Sequence, residues 1–264
     1  MSRSIITLVT HIIYFKNSIM SGVVRFKDIN TDTFTLDAPE KMKNGMGYLI
    51  RINGPQIQTP VCRIPWDTRV DDSQGRPQCK VALSLTKEDE NHTTFSQRLD
   101  MIDQGFIDIV SKNKKDLFKK KISDNLIQEL FYPSAKPSKD DKYGPTFSPK
   151  VSFIERSYHD TPDEDGKRSR LDGPTYNLNI DCCDKKKTQI SPDVALSKGS
   201  KVALLCKPQH IWVINDRCGV SWQATAALVT ELQQKEPSFT QFDMSEFNDD
   251  DDNNNFHDEE IQAA

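Results

Sequence analysis

Residue types that carry enzymatic chemistry are present in this sequence, but without the spacing that such chemistry needs. A phosphate-binding loop, a Rossmann glycine pattern, a nucleophile elbow, an H-E-x-x-H motif and paired metal carboxylates are all missing. The six cysteines contain no C-x-x-C pair, so we interpret them as reduced, buried thiols. The five histidines have no cysteine or aspartate at metal-ligand spacing: His11, His92, His159, His210 and His257. We therefore expect a protein that is not an enzyme and that holds no cofactor and no metal.

Basic and aromatic side chains are instead interleaved along the middle of the chain, a pattern that is typical of polynucleotide binding. Such binding needs cations that follow the phosphates and flat rings on which bases stack. Stacking accepts any base, so sequence preference should be slight. The candidate nucleic-acid-binding residues are Tyr48, Arg51, Arg63, Trp66, Arg69, Lys80, Tyr132, Lys136, Lys142, Tyr143, Lys150, Trp212, Arg217 and Trp222.

Burial decides which of the candidate rings can reach a base. Trp212 and Trp222 lie in apolar segments, where a core position competes with a role as a stacking platform. Trp66 is close to Arg69 and follows a proline, and Tyr143 stands in a loop rich in lysine. We expect these last two rings at the surface, where a nearby cation can also contact the ring face.

The elements that must position these residues are predicted to be mostly strands, because apolar and polar positions nearly alternate. Pro60 and Pro65 indicate an edge or a bulge, and the turn-rich segment 71–77 suits a hairpin loop. The last folded portion, 200–232, is expected to contain three consecutive short strands. The other predicted strands cover 22–26, 33–36, 47–52, 58–64, 79–85, 146–155 and 175–181, with a charged loop over 158–173.

Two helices are predicted between the strands. Apolar residues at helical spacing indicate a helix over 93–112, capped at Asn91 or Thr93, and its apolar stripe is interpreted as core. A second helix is expected over 124–130. The linker 134–143 carries three lysines and is predicted to be an exposed basic loop.

The C-terminal segment 237–264 has nine acidic residues and no lysine or arginine, so it is predicted to be disordered. Without it, 35 basic residues face 30 acidic ones, and the net charge changes from −4 to about +5. The segment is interpreted either as a solubilising tail or as a polyanion that competes with nucleic acid for a basic groove and docks partner proteins.

The N-terminal segment contains an apolar run over 5–15 that is too short to span a bilayer and lacks a signal-peptide cleavage site. We interpret residues 1–19 as an extension outside the core, with an added edge strand as the alternative. The expected protein is intracellular, is not secreted and contacts no membrane.

Several short segments resemble the OB-fold single-stranded-DNA-binding proteins of large eukaryotic DNA viruses. The similarity spans roughly residues 20–235. The segments that carry it, in order, are 131–133 (FYP), 141–147 (DKYGPTF), 198–202 (KGSKV), 211–213 (IWV) and 219–222 (GVSW).

This resemblance implies a mainly β (α+β) fold: an OB-type barrel over 20–235 with a helical insertion at about 93–130, followed by the disordered acidic tail from 236. It also implies a non-catalytic protein that coats and protects single-stranded DNA during replication, recombination or repair. The implied partners are single-stranded DNA or RNA, replication proteins bound through the tail, and a second copy of the chain. A viral protein would act in the host cytoplasm or nucleus.

Two other classes stay open at this point. A virion structural or protein-interaction module would bind a protein partner at any ionic strength and leave oligonucleotides alone. An unrecognised enzyme would have a polar pocket that is independent of the basic loop. Steep salt dependence of oligonucleotide binding distinguishes the DNA-binding hypothesis from both.

Overall fold

The computed structural model describes most of the predicted core. The predictions for residues 1–19 and for the tail from 236 lie outside the described residues. The described ranges are 22–73, 75–118, 120–140, 142–158 and 167–233.

Strands dominate these ranges, and helices are inserted between β9 and β10 and before β16. The strands are β1 (Val23–Arg25), β2 (Thr35–Leu36), β3 (Glu40–Lys41), β4 (Gly47–Asn53), β5 (Gln56–Gln58), β6 (Cys62–Arg63), β7 (Val70–Asp71), β8 (Gln78–Cys79), β9 (Leu83–Ser84), β10 (Phe131–Tyr132), β11 (Ala135–Lys136), β12 (Thr146–Phe147), β13 (Phe153–Tyr158), β14 (Arg170–Leu178), β15 (Asp181–Asp184), β16 (Lys201–Ile214) and β17 (Arg217–Glu231). The α-helices are α1 (Glu90–Lys112), α2 (Lys114–Leu117), α3 (Asp124–Leu130) and α4 (Pro192–Ala195).

The main sheet closes on itself. β16 is antiparallel to β17 on one side and pairs with β4, β5 and β6 on the other. β6 pairs with β9, and β9 pairs with β12. The chain after β12 then returns to β17, because the Lys150 amide donates to the Trp222 carbonyl at 2.8 Å, while the Val81 amide donates to the Pro149 carbonyl at 3.1 Å. This closed, sheet-dominated α+β arrangement confirms the predicted fold class.

The prediction of three short strands over 200–232 is wrong, because β16 and β17 form one long hairpin. The turn falls at Asn215, which has a φ of 55°. The break expected within 201–214 is only a shift of register between Pro208 and His210. A proline has no amide to donate, so the ladder shifts there without ending.

Helix α1 starts earlier than predicted. Its cap is Asp89, whose carboxylate accepts from the Asn91 amide at 2.8 Å, and neither Asn91 nor Thr93 is the cap. The predicted core stripe is confirmed, since Phe95 and its partners on that face are buried. Phe95 packs edge-to-face on Phe147 with ring centroids 5.4 Å apart, which joins the helix to the barrel. Helix α3 has the predicted bounds.

Neither a membrane span nor a metal site emerges from the described ranges. Their helices lack the length and apolarity that crossing a bilayer requires. No three His, Cys, Asp or Glu side chains in these ranges come together as a metal site needs.

Candidate nucleic-acid interface

Four polar side chains, one from each of four adjacent segments of the barrel, form a row. Lys80 is paired with Lys150, Lys150 with Gln223, and Gln223 with Lys207. Residues opposite each other on neighbouring strands project from the same face, and the buried positions next to them in the chain, such as Val81, point inward. The row therefore faces outward. We call it the lysine row.

Like charges are held close together in the lysine row. Burial and the charge of Lys80, in that order, lower the pKa of the Lys150 ammonium from its ordinary value. Both lysine side chains are nonetheless exposed enough to meet solvent. A phosphate placed between them would relieve this repulsion, so the row favours a polyanion.

Two further side chains, His210 and Arg51, lie next to the lysine row, at the level of Ser221 on β17. His210 is opposite Ser221 on β17 and opposite Arg51 on β4. Burial, followed by the charge of Lys150, lowers the pKa of His210. Ser221 lies two residues before Gln223 on β17, so the strand register places His210 and Arg51 beside the lysine row.

A cluster of Tyr132, Trp212 and Arg217, which we call the Tyr132 cluster, continues the same face toward the β16–β17 turn. Tyr132 is paired with Gly219, and the Tyr132 and Trp212 ring centroids are 5.6 Å apart. The Arg217 guanidinium lies 5.4 Å from the Tyr132 ring centroid and also donates to its hydroxyl. Gly219 makes room for both rings, since a Cβ there would lie 2.8 Å from Trp212 Cζ2. Tyr132 stays 46% exposed, so its ring is open to a base.

A groove of about 370 Å³, which we call the Trp66 groove, adjoins the Lys80 end of the lysine row. Trp66, which is 54% exposed, lines it together with Lys80 and Arg69. Asp67 fixes the groove wall, because its carboxylate accepts from the Lys198 amide at 2.8 Å and from Arg69 at 3.2 Å. One ring, three cations and two carboxylates thus border this cavity.

Other predicted residues form a second row across β9 and β12. Ser84 is four residues from Lys80 and Thr146 is four residues from Lys150, so at about 3.3 Å per residue the two rows are about 13 Å apart. Lys136 is paired with Thr146, Thr146 with Ser84, and Ser84 with Arg63. Lys136 and Arg63 are exposed. Tyr143, 61% exposed, lies in the loop before β12 with the Lys142 ammonium 5.9 Å from its ring centroid.

Two of the predicted rings are turned away from this surface. Tyr48 packs partly buried against the core, opposite buried Val213 on β16. Trp222 is only 5% exposed and packs on Phe147 with centroids 5.5 Å apart. Both are therefore corrected from interface to core, because their positions in the barrel strands point inward.

Trp222 instead belongs to a buried hydrogen-bond network. Its Nε1 donates to Ser134 Oγ at 2.8 Å, while the Ser134 hydroxyl and amide each donate to Asp103 at 2.6 Å. Asp103 is 4% exposed, and this burial raises its pKa to about 7. The network ties helix α1 and strand β17 to Ser134, two residues beyond the exposed Tyr132.

Sequence reasoning missed Lys207, His210 and Gln223. The pattern did contain a signal, since Lys207 and His210 lie in a strand between buried Cys206 and Ile211. The register shift at Pro208 interrupts the alternation there and hides which residues face outward.

The buried cysteines are poor nucleophiles in this geometry. Five of the six are buried, and burial raises the pKa of Cys62 to about 12 and of Cys182 to about 11. A thiol with a raised pKa forms little thiolate and is a poor nucleophile.

Distant structural similarities accompany this geometry. The gp2.5 single-stranded DNA binding protein of bacteriophage T7 aligns at 13% identity over 67% of this chain and 92% of that chain, with a TM-score of 0.40. The single-stranded DNA-binding protein of bacteriophage Enc34 in complex with ssDNA aligns at 12% identity over 78% and 98%, with a TM-score of 0.39. No protein-family profile and no curated protein matches the sequence.

Proposed function

We propose that this protein binds single-stranded DNA through the outer face of its barrel, without doing chemistry on it. The observation that carries the proposal is the continuity of that face. The Tyr132 cluster, His210 and Arg51, the lysine row and the Trp66 groove follow one another without leaving the surface. Cations next to open rings provide the two contacts that an unpaired strand offers, its phosphates and its base faces.

A single strand suits this surface better than a duplex. In a duplex the bases are stacked on each other, so side-chain rings on a protein surface reach them only after unstacking. Trp66 presents a half-open ring beside Lys80 at one end of the lysine row, and Tyr132 presents another about 13 Å along β17 from Gln223. Stacking on such rings tolerates every base, so we expect weak sequence preference.

The biological role that we propose is to coat and protect single-stranded DNA during replication, recombination or repair inside the cell. The proposal includes RNA as an alternative ligand, a second copy of the chain as a partner, and a viral origin. The acidic segment 237–264 is proposed to compete with nucleic acid for the basic face and to dock replication proteins.

The experiment that tests the proposal is fluorescence anisotropy of labelled oligo-dT at several salt concentrations, with duplex and RNA competitors. The K80Q/K150Q double variant removes two charges from the lysine row. If each lysine contacts one phosphate, affinity at 0.1 M salt falls by about 25-fold and the salt slope by about 1.4.

The matched control is the K185Q/K186Q double variant, which removes the same charge from exposed lysines after β15. Asp184 is paired with Val229, so these lysines lie about 20 Å along β17 from Gln223. Equal losses in the two variants would mean that charge alone is recognised. No binding by the unmodified chain at low salt would refute the proposal and favour a structural or protein-interaction module.

A further inference from the structure

The connection from α1 to α3 is the most basic stretch of the chain. Residues 112–121 contain six lysines and a single acidic residue. Of the described lysines, Lys112, Lys115, Lys120 and Lys121 are exposed, and Lys114 is half-buried against Asp124 at 2.8 Å. We call this segment the lysine connection.

Apolar anchors hold the backbone of the lysine connection on the core. Leu117, Phe118 and Ile122 are all buried in the main hydrophobic cluster. The described lysines beside them, Lys115, Lys120 and Lys121, are therefore presented from backbone that these anchors hold on the core. Binding a polyanion there needs only side-chain ordering, which costs less than ordering a loop.

The lysine connection adjoins the aromatic end of the barrel face. The Lys120 ammonium lies 2.6 Å from a carboxylate oxygen of Asp216, in the β16–β17 turn. The guanidinium of the next residue, Arg217, lies 5.4 Å from the Tyr132 ring centroid. The lysines thus begin where the Tyr132 cluster ends.

Helix capping explains only part of this cluster. Lys112 is in the last turn of α1, where a cation interacts favourably with the helix dipole. Lys120 and Lys121 are exposed and lie beyond α2, outside the reach of the last turn of α1, so helix capping does not explain them.

We propose that the lysine connection extends the nucleic-acid interface and contacts the phosphates of a strand that leaves the barrel face past Tyr132 and Arg217. The inference rests on the proposed function, and its occupant is the sugar-phosphate backbone of the same single strand. It makes the binding site longer than the barrel face alone, so its contribution depends on oligonucleotide length.

The test compares oligo-dT of about 5 nucleotides, at the short end of the range for an OB-type surface, with oligo-dT of about 20 nucleotides. The K112Q/K115Q/K121Q triple variant removes three exposed charges and leaves the Lys120–Asp216 pair intact. Its control is the K185Q/K186Q/K187Q triple variant, because Lys185–Lys187 are exposed at the opposite end of β17, about 40 Å from Arg217. Circular dichroism melts verify that both variants fold.

For the long oligonucleotide we expect the K112Q/K115Q/K121Q variant to lose up to about 100-fold in affinity at 0.1 M salt and about 2 in salt slope. The short oligonucleotide should bind all three proteins equally. Equal binding of the long oligonucleotide by the two triple variants would overturn the inference. An equal loss with both lengths would also overturn it, since the lysines would then belong to the barrel site. Failure of the unmodified chain to bind either length would instead overturn the proposed function itself.

Discussion

Replacing Asp103 with asparagine should remove a pH dependence from the stability of the fold. Asp103 is buried on α1, and its two carboxylate oxygens accept hydrogen bonds from Ser134 at 2.6 Å. Burial raises its pKa to about 7, the Ser134 hydrogen bonds oppose this rise, and the charge of Asp100 adds to it. In an unfolded chain an aspartate has a pKa of about 3.9.

The sign follows from this difference in pKa. Between pH 5 and pH 8 the Asp103 carboxyl is ionised throughout in the unfolded chain, whereas in the folded chain it loses its proton within this window. Its contribution to stability is fully present below about pH 4 and is lost as the pH rises through 7. The free energy of unfolding should therefore fall by roughly 2–3 kcal/mol from pH 5 to pH 8 through Asp103 alone.

Asparagine can keep most of the local geometry. Its carbonyl accepts from the Ser134 amide, and its NH₂ group can donate to Ser134 Oγ, which already accepts from Trp222. The D103N variant should then fold, with a free energy of unfolding that lacks this fall between pH 5 and pH 8.

The assay is urea denaturation followed by circular dichroism at pH 5, 6, 7 and 8. The control variant is D108N, which makes the same change on the exposed face of α1 and should follow the unmodified chain. If D103N and the unmodified chain show the same change of stability with pH, Asp103 does not carry the proton, and the reasoning from burial is wrong.

Three further predictions concern the interface. Y132A should weaken oligo-dT binding by about 1–3 kcal/mol with little change of salt slope, because the substitution removes a ring but no charge. Anisotropy over a salt series measures both the affinity and the slope. Acidification below pH 6.5 should tighten binding by protonating His210, whose pKa is lowered by burial and then by Lys150, and H210Q should remove that part of the pH dependence. Deleting 237–264 should tighten binding at low salt, and unchanged or weaker affinity of the truncated chain would contradict the competing role of the tail.

Local patterns were enough to predict much of the secondary structure. Helix α3 has the predicted bounds, and the predicted helix over 93–112 differs from α1 only at its start. There, Asp89 caps in place of Asn91, because three nearby polar residues compete and only the folded backbone selects among them. The predicted exposure of Trp66 and Tyr143 is also found.

The sequence by itself determined the composition of the interface, with its cations and rings, and the alternation that makes most of the chain strands. Tertiary structure alone decided which of these residues meet. Lys80, Lys150 and Gln223 come together through pairings between segments about 70 residues apart, and Lys207 joins them across the β16–β17 hairpin. Trp222 is inside because of the face it occupies on β17. Alternation shows that a strand has two faces, but which strand lies beside it and in which register depends on non-local hydrogen bonds and on the shape of the shared core.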